Sequence, residues 1–379
     1  MKKWDKTMIK QTKFLISVFV ILIALAGGFY IYNKLLVSEK PVVSEEKPLS
    51  SMTISIPSEL EVIAYKKSSF NFSIKNERED LKNVSIVLEG VLGEITPNNI
   101  SVAPNVSQTF EVNLDELEPG NYNLYIKIQE EPNIDITKTI SLKSQIVVGL
   151  DGYHDISPGF PKNYWEWEES DDWYFVEFLH KNNIKTKVIK SSFSPEVLEG
   201  INVVIIKSPK QSFLSRERET LKSFLDQGGG LLLVCSVAMP QVRPFTEDLF
   251  VWLNLQVKLG KDLAYSQRFG DITFVQETDK GWTEEITEHS ITSGIREIWH
   301  HRSYVLDIEK PMISLVKKDG KTIYAIQHYS RGKIGIIAAP DDLITVNPDR
   351  FTISSSNRNQ LNLNLIHWLA KPEDYEEMG

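Results

Sequence analysis

Three short apolar runs constrain this chain more than any other feature: QIVVGL (145–150), INVVIIKSP (201–209) and GLLLVCSV (230–237). None of them alternates polar with apolar residues. A strand built from such a run must be covered on both faces, as parallel strands flanked by helices are. Helical spacing fills the gaps between the runs. Leu221, Phe224 and Leu225 fall at i, i+3 and i+4, with Ser215 placed to cap that helix and Gly228 to close it in the left-handed conformation. Ser170 can cap an earlier helix with Asp171 and Asp172 in its first turn, Phe175, Phe178 and Leu179 on one face and Asn182-Asn183 at its end. Strands that alternate with helices predict right-handed crossovers and a doubly wound α/β sheet over residues 144–373. Later, KTIYAIQHY (321–329) and GKIGIIAAP (332–340) predict a hairpin turned at Ser330-Arg331-Gly332, and RNQLNLNLIHWLA (358–370) a closing helix before a tail at 374–379.

Residues 52–143 keep a different rhythm. SFNFSIKN sets Phe70, Phe72 and Ile74 against polar neighbours, and NVSIVLEG, TFEVNLDEL, NYNLYIKIQ and DITKTISLK repeat the period of two. Turn residues separate these runs, as in TPNN and EPGN. Roughly seven short strands predict an all-β, Ig-like sandwich. It lacks paired cysteines, because the chain holds a single Cys, which also rules out an intramolecular disulfide and a cysteine-based zinc site. Four Asn-x-Ser triplets, at Asn71, Asn83, Asn99 and Asn105, cluster here. They are glycosylation candidates if the chain passes a glycosylating export route, and otherwise a chance product of an Asn- and Ser-rich domain.

Five lysines precede residue 14, and an apolar stretch, FLISVFVILIALAGGFYIY, follows to Tyr32. Its length approaches the roughly 20 residues of a membrane-spanning helix, and lysines before it predict an inside N-terminus. A signal peptide cleaved after Ala24-Leu25-Ala26 is one reading. A retained anchor over 14–36 is the other, and it accounts for Phe29, Tyr30 and Tyr32 as an outer aromatic belt. On the second reading the chain is a single-pass cell-membrane protein with residues 1–13 cytoplasmic, a Pro-, Ser- and Glu-rich linker at 37–51, and both folded domains external.

A chain of 379 residues exceeds one ordinary domain, and its 25% charged and 41% hydrophobic content suits folded protein throughout. The net charge of −9 argues against nucleic acid as a partner, since phosphate binding needs concentrated basic surface.

The glycines Gly228-Gly229-Gly230 end a helix and start a strand, which is the reverse of a phosphate-binding loop. The passage SPEVLEGINVVIIKSPKQSFLSRERETLKSFLDQGGGLLLVCS, with HSITSGIREI (289–298) and GKIGIIAAPDDLIT (332–345), resembles an uncharacterised family with the class I glutamine-amidotransferase-like fold. That family is related to trehalose-utilisation-type and gliding-motility-type accessory domains. The resemblance implies a doubly wound head but no defined activity. A working amidotransferase would set its nucleophile on a Gly-x-Cys-x-Gly elbow. Cys235 is flanked by Val234 and by Ser236-Val237, and no His-x-Glu pair stands in the last third of the chain, so a small buried hydrophobe is expected there.

In an open parallel sheet, ligands bind beyond the carboxyl ends of the strands. Asp151, His154, Ser208, Ser236 and Asp342 are expected at that rim. Asp151 and His154 could equally be loop-capping groups, and with no third ligand no metal site and no cofactor are assigned. Trp165 and Trp167, among the carboxylates of NYWEWEESDDWYF, are expected over the same rim, either stacking on a glycan or peptide or closing a lid on their own domain. Two functions are expected on these grounds: a non-catalytic head that binds a protein or glycan or assists a transport or surface assembly, and a tethered hydrolase using Asp151, His154 and Asp342.

Overall fold

The computed structural model describes residues 52–373, apart from residues 78, 80–81, 91–92, 131–133, 156–172, 236–242, 261–263, 270–271, 278–280, 301–304 and 339–353. Residues 54–379 form one compact unit, and the first described strand is β1 (Met52–Ser55).

Within this unit, residues 59–145 fold as two facing sheets. Strands β3 (Ser68–Asn76), β7 (Ser107–Leu114) and β5 (Gly93–Thr96) pair antiparallel in that order. The second sheet runs β2 (Glu59–Ile63), β9 (Ile134–Gln145), β8 (Gly120–Glu130), β4 (Lys82–Glu89) and β6 (Asn99–Val102). Alternation fixes which side chains face inward. Phe72, Ile74, Phe110 and Val112 are buried on the first sheet, and Ile86, Leu124, Ile126 and Ile140 on the second, while Asn71 and Glu111 stay exposed. Phe72 stacks on Phe110 at 5.2 Å.

Strand β9 continues, after the single residue Ile146, into β10 (Val147–Asp151), the first strand of a nine-stranded sheet. Around β10 the pairings are parallel: β11 (Lys185–Ile189) on one side, then β12 (Val203–Lys207), β13 (Gly230–Val234) and β22 (Gly332–Ile337) on the other. Beyond β22 every pairing is antiparallel. β21 (Lys321–Tyr329) returns from β22 across a tight turn at Ser330, and pairs with β20 (Ile313–Lys318) and β19 (Leu306–Ile308); β14 (Val257–Leu259) closes the edge. Two short antiparallel ladders complete the strands among the described residues, β15 (Ala264–Phe269) with β16 (Ile272–Glu277) and β17 (Gly281–Thr283) with β18 (Ile298–His300).

Both faces of the sheet are covered. Helices α1 (Trp173–Lys181) and α5 (Ser354–Ala370) bury Phe175, Leu179, Leu361 and Leu365 against Val148, Ile205 and Leu232. On the other face α2 (Pro195–Leu198), α3 (Ser215–Asp226) and α4 (Arg243–Trp252) bury Leu198, Leu221, Leu225 and Phe250 against Val204, Ile206 and Leu233.

Three expectations are corrected here. The doubly wound α/β head does not stand: the sheet is mixed, because the β21–β22 hairpin replaces a crossover helix and antiparallel strands extend it, and strand outweighs helix among the described residues. The membrane helix, and with it the single-pass cell-membrane placement with external domains and the membrane as partner, is not supported. No helix among the described residues is long and apolar enough to cross a membrane; the longest, α5, has 17 residues, three of them Ser and four Asn, and residues 14–36 lie outside the described residues. The sandwich is not tied to an Ig topology either: β2 pairs parallel with β9 at the sheet edge. A smaller difference concerns α3, whose cap position is Leu214, with Ser215 its first helical residue.

Candidate functional site

Asp151 ends β10 and His154 follows in the next turn. One Asp151 oxygen accepts the His154 backbone N–H at 3.1 Å, and the other lies 3.0 Å from the imidazole Nδ1. The ring's second nitrogen points to Glu217 Oε1 at 3.3 Å. Glu217 lies in the first turn of α3. Its Oε2 accepts the Leu214 N–H at 2.8 Å and its Oε1 the Phe193 N–H at 3.1 Å, so it caps the helix and joins two loops at once. Phe213 stacks on the imidazole at 3.8 Å, and Phe193 and Tyr153 pack around it at 5.0 Å. Neither His154 nor Asp151 is more than 1% exposed. Asp151, His154 and Glu217 thus form a sealed polar knot that fastens the loops after β10, β11 and β12, in which His154 Nε2 lies close to Glu217 Oε1 without making a hydrogen bond to it.

Ser208 lies nearby after β12, at φ +50°, with its hydroxyl donating to Val234 O at 3.3 Å. Of the other residues expected at this rim, Ser236, Asp342, Trp165 and Trp167 lie outside the described residues. Cys235 is fully buried, and burial, with the Glu247 carboxylate as a lesser cause, pushes its thiol up to about 12. A thiolate is what attacks and binds metal, so this sulfur is chemically quiet. Glu217 escaped the sequence reading because a Ser215 cap displaced the register of the helix by one residue. No capping-box signature marks it either, because Leu214 has no side-chain acceptor and only the Glu217 half of the exchange is made.

An open feature lies at the other end of the parallel strands. A cleft of about 760 Å³ opens where the sandwich meets the mixed sheet, between the turn 63–68, the residues leading into β12 and β13, and the end of α5. Ile63, Tyr65, Leu198, Phe224 and Pro372 give it an apolar floor. Charges of both signs line the remainder: Lys66, Lys67 and Arg331 against Glu116, Glu196 and Glu199. The two sides are stapled together. Asn202 donates from Nδ2 to Ala64 O at 2.7 Å and accepts the Val147 N–H on Oδ1 at 2.8 Å. Lys66 Nζ donates to Ile201 O at 2.9 Å. Burial pulls the Lys66 ammonium below its ordinary pKa, with Glu199 opposing, and burial pushes the Tyr65 phenol up to about 12, helped by Glu118 and Tyr122. Glu61 and Lys185 form a further ion pair across the junction, and Ala64 is packed into the core of the mixed sheet.

All four Asn-x-Ser asparagines are exposed on the sandwich. Two of the triplets interlock: in the β4–β6 register Asn83 faces Ser101 and Ser85 faces Asn99, and Ser101 Oγ donates to Asn83 Oδ1 at 2.5 Å. Asn105 sits in a turn at φ +57°.

No family model matches the chain, and no curated protein matches it. Among solved structures, the N-terminal domain of mmIFT52 is similar at 14% identity and a TM-score of 0.44, over 60% of this chain and 99% of that one. The ASH/PapD-like domain of human CEP192 is similar at 11% identity and a TM-score of 0.22, over 26% of this chain and 90% of that one. A chaperone–tip adhesin pre-assembly complex from Acinetobacter baumannii is similar at 10% identity and a TM-score of 0.21, over 25% of this chain and 56% of that one. The resemblance to a glutamine-amidotransferase-like family is corrected: no family model carries it, and the sheet is mixed rather than doubly wound.

Proposed function

We propose that this chain is a partner-binding module whose cleft receives an extended segment of a protein. The observation that carries the reading is the cleft itself, an apolar floor within a two-signed charged rim. That composition suits a peptide, whose side chains fill the floor while its backbone and charges meet the rim. The Asn202 and Lys66 staples hold both walls in place before a ligand arrives, which lowers the ordering cost of binding. By contrast, the Cys235 thiol and the His154 imidazole are sealed from solvent.

The test uses a photo-crosslinking residue placed in turn at Thr220 and Gln227, both in the cleft wall, in the full chain expressed in its own host. The same partner is expected from both positions. It should be lost when Ser223→Trp fills the cleft, since Ser223 is exposed and the change leaves the core intact. Cross-linking no stronger than from Val251, which is 79% exposed on α4, would overturn the reading.

A further inference from the structure

Lys333 is the second residue of β22, in the middle of the mixed sheet, yet its side chain is only 5% exposed. An ammonium removed from water is costly unless something nearby replaces its hydration. Two groups do so. Glu373 Oε1 lies 2.7 Å from Nζ, and the Trp368 ring lies beneath it at 4.9 Å. The same carboxylate oxygen is 3.0 Å from Nδ1 of His328, the cross-strand partner of Lys333 on β21. His328 and His289 both stand edge-on to Trp368, at 5.3 and 6.1 Å.

The donors and the acceptor are held very differently. Lys333 and His328 are fixed by the β21–β22 hairpin, and Trp368 by the last turn of α5. Glu373 comes from the segment after α5, whose attachments include its carboxylate, the Glu373 N–H donating to Arg331 O at 3.1 Å, Pro372 beside Gly228 and an exposed Lys371–Glu118 ion pair at 3.8 Å. The receptor is built on the sheet and on a helix, and the occupant on the segment that follows them. We propose that Lys333, His328 and Trp368 form a carboxylate-binding pocket, filled in cis by Glu373, that takes a carboxylate supplied by another molecule when this segment withdraws. Pro372 lines the cleft and Glu373 is its neighbour, so exchange at the pocket would also free one wall of the cleft; the pocket's own chemistry does not depend on what the cleft holds.

Chemical rescue tests this. In the full chain, Glu373→Ala leaves the Lys333 ammonium without its carboxylate, and its melting temperature should fall by roughly 5–10 °C. Acetate at high millimolar concentration should then restore at least half of the loss, because a ligand bound only by the folded state raises its stability. The blocked tripeptide Lys-Pro-Glu should do so at lower concentration if the natural carboxylate belongs to a peptide. Acetate rescue without tripeptide rescue would assign the pocket to a small carboxylate. Neither compound should help Glu373→Ala combined with Lys333→Met. Should Glu373→Ala not fold, Glu373→Ser, which also vacates the pocket, serves with the same readout. Rescue no greater than that given by chloride at equal ionic strength, or an unchanged melting temperature on losing Glu373, would overturn the proposal.

Discussion

Replacing Asn202 with Ala tests whether one side chain joins the sandwich to the mixed sheet. Asn202 is 3% exposed and its amide makes two bonds in opposite directions, to Ala64 O at 2.7 Å and from Val147 N at 2.8 Å. Alanine leaves the buried Ala64 carbonyl and the partly buried Val147 N–H without their partner, and each orphaned group costs about 1–3 kcal/mol, so the loss should be about 2–6 kcal/mol. Asn202→Asp keeps the acceptor for Val147 but sets a second oxygen against the Ala64 carbonyl. It should destabilise at least as much, since a buried carboxylate then faces an acceptor. Urea unfolding followed by tryptophan fluorescence reads the loss, and limited proteolysis reads its place, with the first new cut expected in the turn 63–68. A loss under about 0.5 kcal/mol, the range of ordinary surface changes, with an unaltered cleavage pattern would refute the argument.

Cys235→Ala should cost only about 1 kcal/mol, as a small buried group does, and leave partner binding unchanged. With its thiol pushed up to about 12, the native protein should resist alkylation at pH 8 and react only once unfolded; prompt labelling of the folded chain would contradict its burial. At Glu373 burial favours the neutral acid, but the hydrogen bond and charge of Lys333, with those of His328, prevail and hold the carboxyl below its ordinary 4.5. A depressed folded-state pKa stabilises above the unfolded value and loses that contribution as pH falls through the folded one. The stability gap between the native chain and Glu373→Gln should therefore be full at neutral pH and close below about pH 4.5. A gap that persists undiminished at pH 3 would show that the carboxylate's charge is not what matters.

How far the sequence reaches can be judged element by element. The alternation around Phe70, Phe72 and Ile74 declared a half-buried strand, since a period of two follows from the pleat alone. The runs at 145–150, 201–209 and 230–237 declared strands covered on both faces, and the turn at Ser330 could be read from residues adjacent in the chain. Strand direction was legible at the β21–β22 hairpin, whose turn lies in adjacent residues, and not beyond it. An apolar run records that both faces are covered and says nothing of which way its neighbour points, so the antiparallel addition of β20, β19 and β14 was not foreseen and the doubly wound expectation failed. The same limit holds for the sites. His154 and Asp151 are three residues apart, and their pairing was within reach of local reasoning. Glu217 reaches that knot from α3, Asn202 reaches Ala64 across 138 residues, and Glu373 reaches Lys333 across an entire helix. Local propensity and periodicity are written in neighbouring residues, and those the sequence determined. The knot, the staple, the cleft and the filled pocket depend on which distant segments the closed core brings within 3 Å or so of one another, and only the tertiary structure decided that.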